Sequence, residues 1–182
     1  MVIGLTGPNA SGKGEAALYI KSKGFAYHSL SDILRGEAEA QGIEPLRENL
    51  IKLGNDLRRK NGPSVLACRA IKELSGAGSH IVDSIRNPAE IEALRRVKGF
   101  TLIGIDAPVE TRFKRGLERK RPGDAQTLGE FIEKEAEENK TSFENQQLKK
   151  CIEMADEIIV NDSTIERFHE KINAVLERNK KT

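Results

Sequence analysis

Apolar positions along this chain fall into two patterns that take turns from one end to the other. Short, nearly uninterrupted runs occur at Val2-Ile3-Gly4-Leu5-Thr6, Phe25 to Leu30, His80-Ile81-Val82-Asp83, Phe100 to Asp106 and Asp156 to Asp162. Runs of that length read as strands covered on both faces. Between them the apolar residues follow a helical period. Glu15-Ala16-Ala17-Leu18-Tyr19-Ile20 is good helix material. Leu46, Leu50, Leu53 and Leu57 lie four, three and four apart and predict one buried face, and Ile165, Phe168, Ile172, Val175 and Leu176 predict another. Strands alternating with helices give an α/β fold with a parallel, doubly wound sheet.

Local signals set the boundaries. Lys23-Gly24 ends the first helix, and Ser31-Asp32 starts the second with an acid at its positive end. Gly42-Ile43-Glu44-Pro45 is a break. The leucine-faced helix stops at Arg58-Arg59-Lys60-Asn61-Gly62, and Pro63 opens another through Leu74. Gly76-Ala77-Gly78-Ser79 reads as a loop, and Asn87-Pro88-Ala89-Glu90 as a capped helix start. Pro108 opens a helix into the most basic stretch, Arg112 to Arg121, which Pro122-Gly123-Asp124 breaks. Thr127-x-x-Glu130 caps the next helix, Glu133 to Lys150 predicts one long surface helix, and Ser163-x-x-Glu166 caps the last. Lys180-Lys181-Thr182 is a fraying tail, and no internal repeat is visible.

Composition narrows the class. A length of 182 residues is one domain with room for a substantial core. The net charge of +2 gives no global attraction to nucleic acid, and the absence of Trp with only 4% aromatic residues weighs against a single-strand stacking platform. Cys68 and Cys151 show no disulfide or zinc spacing, and His28, His80 and His169 are isolated in the sequence. No long apolar run or signal-like start is present. The expectation is a cytoplasmic protein with no membrane or nucleic-acid partner; protein partners are left open.

The candidate chemistry starts at Gly7-Pro8-Asn9-Ala10-Ser11-Gly12-Lys13-Gly14, a G-x-x-x-x-G-K loop between a strand and a helix. Glycines at 7 and 12 free the backbone so that successive N–H groups can surround a phosphate, and the helix aims its positive end at the same point. Lys13 adds a full charge. Gly14 stands where a Ser or Thr usually ligates magnesium. Glu15 is not placed to face the phosphates, so the metal is expected through water elsewhere. Asp83, at the carboxyl end of its strand, is the candidate, because ligands of open α/β sheets bind at those ends. A basic helix, a break and a second helix describe a hinged flap whose arginines close over a triphosphate.

These motifs resemble the nucleoside monophosphate kinase group over nearly the whole chain. The Gly-Lys-Gly loop ending is similar to the adenylate kinase form. Ser29-Leu30-Ser31-Asp32-Ile33-Leu34-Arg35 and Val82-Asp83-Ser84-Ile85-Arg86 resemble that family's acceptor-phosphate segments. Ile105-Asp106-Ala107-Pro108 and Ala155 to Asn161 are similar to dephospho-coenzyme A kinases. Asp83 to Pro88 together with Thr127 to Phe131 resembles small proteins related to them and to the kinase-like half of some deoxycytidylate deaminases.

The resemblance implies a three-layer P-loop NTPase fold over residues 1–182. It has a five-stranded parallel sheet, a helical acceptor clamp at 31–75 and a small lid at 115–140. It also implies ATP and Mg²⁺ as cofactors and a nucleotide-like small-molecule acceptor. Gly7, Asn9, Ala10, Ser11, Gly12, Lys13, Gly14, Glu15 and Arg115 form the ATP set, with Arg115 over the adenine. Asp32, Arg35 and Arg86 hold the acceptor; Lys13, Asp83 and Arg119 are catalytic; Arg115, Arg119 and Arg121 close from the lid. A phosphate acceptor needs no strong base, whereas the hydroxyl of dephospho-coenzyme A needs one, from Asp32 or Asp83. A regulatory nucleotide-binding module without transfer is the reading from another class. Phosphorylation of a nucleic-acid 5′ end would need a longer basic track than 112–121.

Overall fold

The computed structural model describes residues 1–74, 78–120, 124–139 and 145–180. Five parallel strands, β1 (Val2–Thr6), β2 (Ala26–Ser29), β3 (His80–Ile85), β4 (Phe100–Asp106) and β5 (Glu157–Val160), lie in the order β2-β3-β1-β4-β5. β1 sits at the centre, paired with β3 and β4. The chain leaves β1 toward β2 on one side and later crosses to β4 on the other. The crevice where that order reverses opens at the carboxyl end of β1.

The described helices are α1 (Lys13–Ser22), α2 (Leu30–Ala40), α3 (Arg47–Asn61), α4 (Val65–Glu73), α5 (Pro88–Leu94), α6 (Val109–Arg119), α7 (Leu128–Glu138), α8 (Leu148–Glu153) and α9 (Ile165–Asn179). Side chains alternate across a strand, so each strand feeds two cores. Val2, Val82 and Leu102 pack with Leu30, Leu34, Leu53, Leu57, Leu66 and Ile91 of α2 to α5. Ile3, Leu5, Ile81, Ile103 and Ile105 pack on the opposite face with Ala16, Ile20, Phe168 and Ile172 of α1 and α9. The result is three layers, with both faces of the central strands β1, β3 and β4 buried, while the edge strands β2 and β5 leave Tyr27, Ile158 and Val160 exposed.

One break in that alternation matters for the site. Val82 and Ile85 face the same core although they are three residues apart. The β1–β3 register shifts between Gly4 and Thr6, and Ser84 has φ +66°. Ser84 is the extra residue of a bulge, and the bulge re-aims everything after it. The Thr6 hydroxyl donates to the Ile85 carbonyl at 2.9 Å and holds the shifted strand in place.

Several boundaries differ from the sequence reading. Ser29, not Ser31, caps α2: its hydroxyl accepts from the Asp32 N–H at 3.3 Å, and the helix begins at Leu30. Pro63 precedes α4 by two residues, with Ser64 at the cap. Thr164 rather than Ser163 caps α9, accepting from Arg167 N–H at 3.4 Å. The single long helix expected from Glu133 to Lys150 is two elements: α7 closes at Asn139, and α8 starts at Leu148. Leu148 and Cys151 of α8 are buried, so this is a packing helix and not a surface one. The histidines are not isolated in space: His28 Nε2 and His80 Nδ1 are 3.1 Å apart, and His169 stacks on Tyr19. No helix among the described residues is long and apolar enough to cross a membrane.

Candidate active site

The loop from Gly7 to Gly14 is pressed against the ends of β4 and β5. Gly7 has φ +143°, and a Cβ there would stand 2.0 Å from the Ile105 carbonyl oxygen. Gly12 has φ +104°, and its Cβ would stand 2.2 Å from Asn161 Nδ2. Only glycine fits either place. Ala10 also has a positive φ, +59°, an arrangement a side chain tolerates at a cost. The Ser11 carbonyl is held from behind by Asn161 Nδ2 at 3.0 Å and Arg115 Nη1 at 3.5 Å. Ser11 itself is fully buried, and its hydroxyl has no hydrogen-bond partner among the described residues. Gly12 offers α1 no side-chain cap, so the first-turn N–H groups are left for an anion.

Lys13 folds back over this loop, donating to the Gly7 and Pro8 carbonyls at 2.7 Å each. The residue is only partly covered overall, but its ammonium lies deep in the loop. Burial first, and then the Arg86 charge, pull its pKa down to about 7; Asp83 opposes this, while Arg119 and Arg47 add to it. Four charges, from the end of β3, from α6 and from α3, are therefore near enough to be felt at one nitrogen. Glu15, counted in the ATP set, turns its carboxylate to His169 Nε2 on α9 at 2.9 Å, so its side chain is committed away from the loop. A Cβ on Gly14 would meet nothing within 4 Å.

Asp83 is buried at the end of β3, where its carboxylate accepts from the Ser84 N–H at 2.6 Å and the Tyr27 hydroxyl at 3.3 Å. Burial and then the Asp83 charge push the Tyr27 phenol up to about 12. Among the described residues no group of three His, Cys, Asp or Glu side chains is arranged to hold a metal alone. That donor set fits magnesium carried by one carboxylate, water and substrate phosphates, with Asp83 as the carboxylate.

Past the Ser84 bulge, Arg86 points into a cavity of about 270 Å³ roofed by α2 and α3. Leu30, Leu34, Leu50 and Leu66 form its apolar side; Arg35, Arg47, Arg58 and Arg86 bring cationic groups to it. Arg86 Nη1 donates to Gln146 Oε1 at 3.0 Å. The arginine's main chain is fixed by Glu90, fully buried, which accepts from Arg86 N at 2.9 Å and Asn87 N at 3.1 Å. Glu90 also accepts from Arg58 Nη2 at 2.8 Å and Nε at 3.0 Å, so one carboxylate ties α3 to the start of α5. Arg35 sits at the half-exposed mouth, with Nη1 on Asp32 Oδ1 at 2.5 Å.

The α6–α7 hairpin, expected as the lid, is rooted by Arg112. Its Nε donates to the Ala107 carbonyl at 2.9 Å, and its guanidinium forks onto Glu135, with Nη2 to Oε2 at 3.0 Å and Nη1 to Oε1. Phe113 and Phe131 meet edge-on, ring centroids 5.9 Å apart, so α6 and α7 form one packed hairpin. Arg115 bonds the Asn161 carbonyl at 3.2 Å, beside the loop, and Arg119 reaches Asn9 Oδ1 at 3.3 Å. Lys120, φ +49°, ends α6, and Arg121 lies outside the described residues.

The structure thus gathers Lys13, Asp83, Arg86 and Arg119, puts Arg115 behind the loop, and leaves Arg35 and Asp32 at the cavity mouth. Sequence reasoning missed Arg47, whose one signal was its place just after the Pro45 break. It missed Arg112 as the lid's root, Asn161 as the loop's brace, and Ser84, Asp124 and Gln146 as cavity residues. Those depend on packing between segments far apart in the chain.

A central strand, a phosphate-type loop and flanking helices in this order define a P-loop NTPase of kinase-like form. A family model described as an AAA domain, AAA_17, matches residues 6–133. A UPF0200/UPF0201 protein of Archaeoglobus fulgidus is 36% identical over 96% of this chain, which spans 54% of that longer protein. A UPF0200 protein of Sulfurisphaera tokodaii is 31% identical over 97% of this chain and 96% of its own length. The chain belongs to the AAA_17 family and, with these relatives, to the UPF0200 proteins. Among solved structures, TT1252 from Thermus thermophilus is similar at a TM-score of 0.64, with 19% identity, covering 98% of this chain and 97% of that one. Shikimate kinase from Aquifex aeolicus is similar at 0.56, with 20% identity, covering 99% and 98%. Both likenesses concern the fold.

Proposed function

We propose that this protein moves the γ-phosphoryl group of ATP to a small acceptor that carries a phosphate of its own, a nucleoside or deoxynucleoside monophosphate. The observation that carries this reading is the convergence on the Lys13 ammonium of Arg86, Asp83, Arg119 and Arg47, which come from three separate segments: the end of β3, α6 and α3. A module that only binds ATP has no use for a second, arginine-lined cavity next to its phosphate loop. Lys13 and the loop amides would hold the phosphate chain. Arg35 and Arg86 would hold the acceptor's phosphate, two forked cations on one anion. Arg119 would reach over from the lid. Magnesium, when bound, supplies neutralisation of phosphate charge, with Asp83 orienting its water shell. Such transfer is mostly positioning and charge stabilisation.

The hydroxyl-acceptor reading, dephospho-coenzyme A, draws less support. Asp32 is engaged by Arg35 in the open, and Asp83, held by Tyr27 and the Ser84 amide, is the carboxylate that would carry the magnesium water shell, so neither stands as a dedicated base. A coupled ADP-release assay across the common nucleoside monophosphates and dephospho-coenzyme A tests the proposal. Turnover with at least one monophosphate is expected. Tight ATP binding with turnover on none would sink it in favour of the regulatory module. In the Arg86→Ala variant the acceptor KM should rise at least tenfold while ATP affinity changes less than twofold; an equal loss of both would remove Arg86 from the acceptor.

A further inference from the structure

One side chain in the acceptor cavity is unexplained by phosphate binding. Asp124 lies between helices α6 and α7, and it lines the cavity that Arg47 and Arg86 also line. It also lines a small neighbouring space bounded by Asn9 of the phosphate loop and by Phe131 and Glu135 of the lid. It therefore stands where the acceptor's chamber, the loop and the lid meet. Its Oδ2 atom is shut off from solvent and has no hydrogen-bond partner among the described residues. A buried carboxylate oxygen without a donor is costly, and such atoms in native proteins have a reason. A phosphate cannot be that reason, because two anions would repel.

We infer that Asp124 reads a hydrogen-bond donor on the acceptor, an O–H or N–H group set apart from its phosphate. This rests on the cavity being the acceptor site. It narrows the acceptor class to molecules with an anion at one end, for Arg35 and Arg86, and a donor further in, for the lid's carboxylate. The floor between these poles is aliphatic, from Leu30, Leu34, Leu50 and Leu66, and no aromatic ring among the described residues lines it. A flat or compact apolar body fits against such a floor. Discrimination follows from the same chemistry. A site that offers a buried acceptor loses heavily when the ligand lacks the donor, because the oxygen is then desolvated for nothing. Asp124 also disfavours acceptors with a second anionic group at that depth.

The test is equilibrium binding by titration calorimetry of CMP, UMP, dCMP and AMP to the full-length protein and to Asp124→Ala and Asp124→Asn. A fluorescent ATP analogue reports separately on the loop. If the donor is an amine, CMP should bind the wild type at least tenfold tighter than UMP. If it is a sugar hydroxyl, CMP should outbind dCMP by a similar ratio. Asp124→Ala should collapse whichever ratio is present to within twofold and leave the ATP analogue's affinity within twofold. Asp124→Asn keeps a carbonyl acceptor and should retain part of the preference. Unchanged preference in Asp124→Ala, or no saturable binding of any of the four to the wild type, overturns the inference. Binding that follows this pattern without ADP production would sink the kinase reading and leave the Asp124 assignment standing.

Discussion

Lys13 carries the sharpest expectations at the level of single residues. Its replacement by alanine should lower turnover by about a hundredfold or more, the scale of a lost transition-state charge contact, as read from kcat in the coupled assay. Near-normal activity would count against the loop. Its proton also matters. With the pKa pulled down to about 7 in the free protein, well below the ordinary 10.5, most of the ammonium groups are deprotonated at pH 8. A bound polyphosphate raises that pKa, so binding above pH 7 takes up a proton, and ATP affinity should weaken steadily from pH 7 to pH 9. For folding the sign is the reverse of a salt bridge. The unfolded chain holds the extra proton between pH 7 and 10.5, so the cost of burying Lys13 is full below 7 and fades as pH rises through that window. A flat affinity profile across pH 6–9, measured with a fluorescent nucleotide, would contradict the placement of Lys13. Gly12→Ala should cripple nucleotide binding for two separate reasons, the left-handed backbone and the 2.2 Å approach of Asn161. Trimming the neighbour in Gly12→Ala/Asn161→Ala should restore little.

Among the elements, the lid hairpin depends most on a pair that no local pattern announces. Arg112 and Glu135 are 23 positions apart, on different helices, and the basic run around Arg112 reads as an ordinary solvated face. Their forked contact joins α6 to α7 next to the Asn9 carbonyl, which Arg112 also approaches at 3.5 Å. A double-mutant cycle on Arg112→Ala and Glu135→Ala, followed by thermal unfolding, should give a coupling of about 1–3 kcal/mol. Additive effects would mean the two helices are held by Phe113 and Phe131 alone. The strands and most helices were readable because period and punctuation are local properties: the five apolar runs and the Asn87 capping box stand in the structure, while of the leucine face Leu53 and Leu57 are buried, Leu50 is half-buried and Leu46 lies exposed at the cap of α3. The misread caps of α2 and α9 share one cause. Each had two hydroxyl residues close together, and only the path of the incoming backbone decides which one faces the helix. The end of α7 did carry a stop signal, Asn139, which the long run of helix-forming Glu and Lys before it outweighed in the sequence reading.

For the molecule as a whole, the junction at Glu90 connects what the sheet otherwise keeps apart. Sequence gave Glu90 a capping role, which it has, but its four donors from α3 and from the β3–α5 turn could not be foreseen, because they need the folded sheet to bring Arg58 across. Glu90→Ala should destabilise the protein by about 3–5 kcal/mol, since it strands the Arg58 charge in the interior. For a chain of this size that corresponds to a fall in melting temperature on the order of 10 °C. A drop of only a degree or two would mean water reaches Arg58. The candidate site was half legible in the same sense. The phosphate loop, Asp83 and Arg86 lie at strand ends, where order along the chain is order in space. Arg47, Asp124 and Gln146 arrive from other segments, and only coordinates bring them in.

The two hydrophobic cores have a consequence for genetics. The phosphate-type loop rides on α1, anchored in the layer built around Phe168, while the cavity proposed for the acceptor is carved from helices anchored in the layer built around Leu66. Mild packing defects, the kind a random mutant library is rich in, should therefore sort by side of the sheet. Those beneath α1 and α9 loosen the grip on one substrate, those beneath α2 to α5 the grip on the other, and neither class needs to touch a ligand.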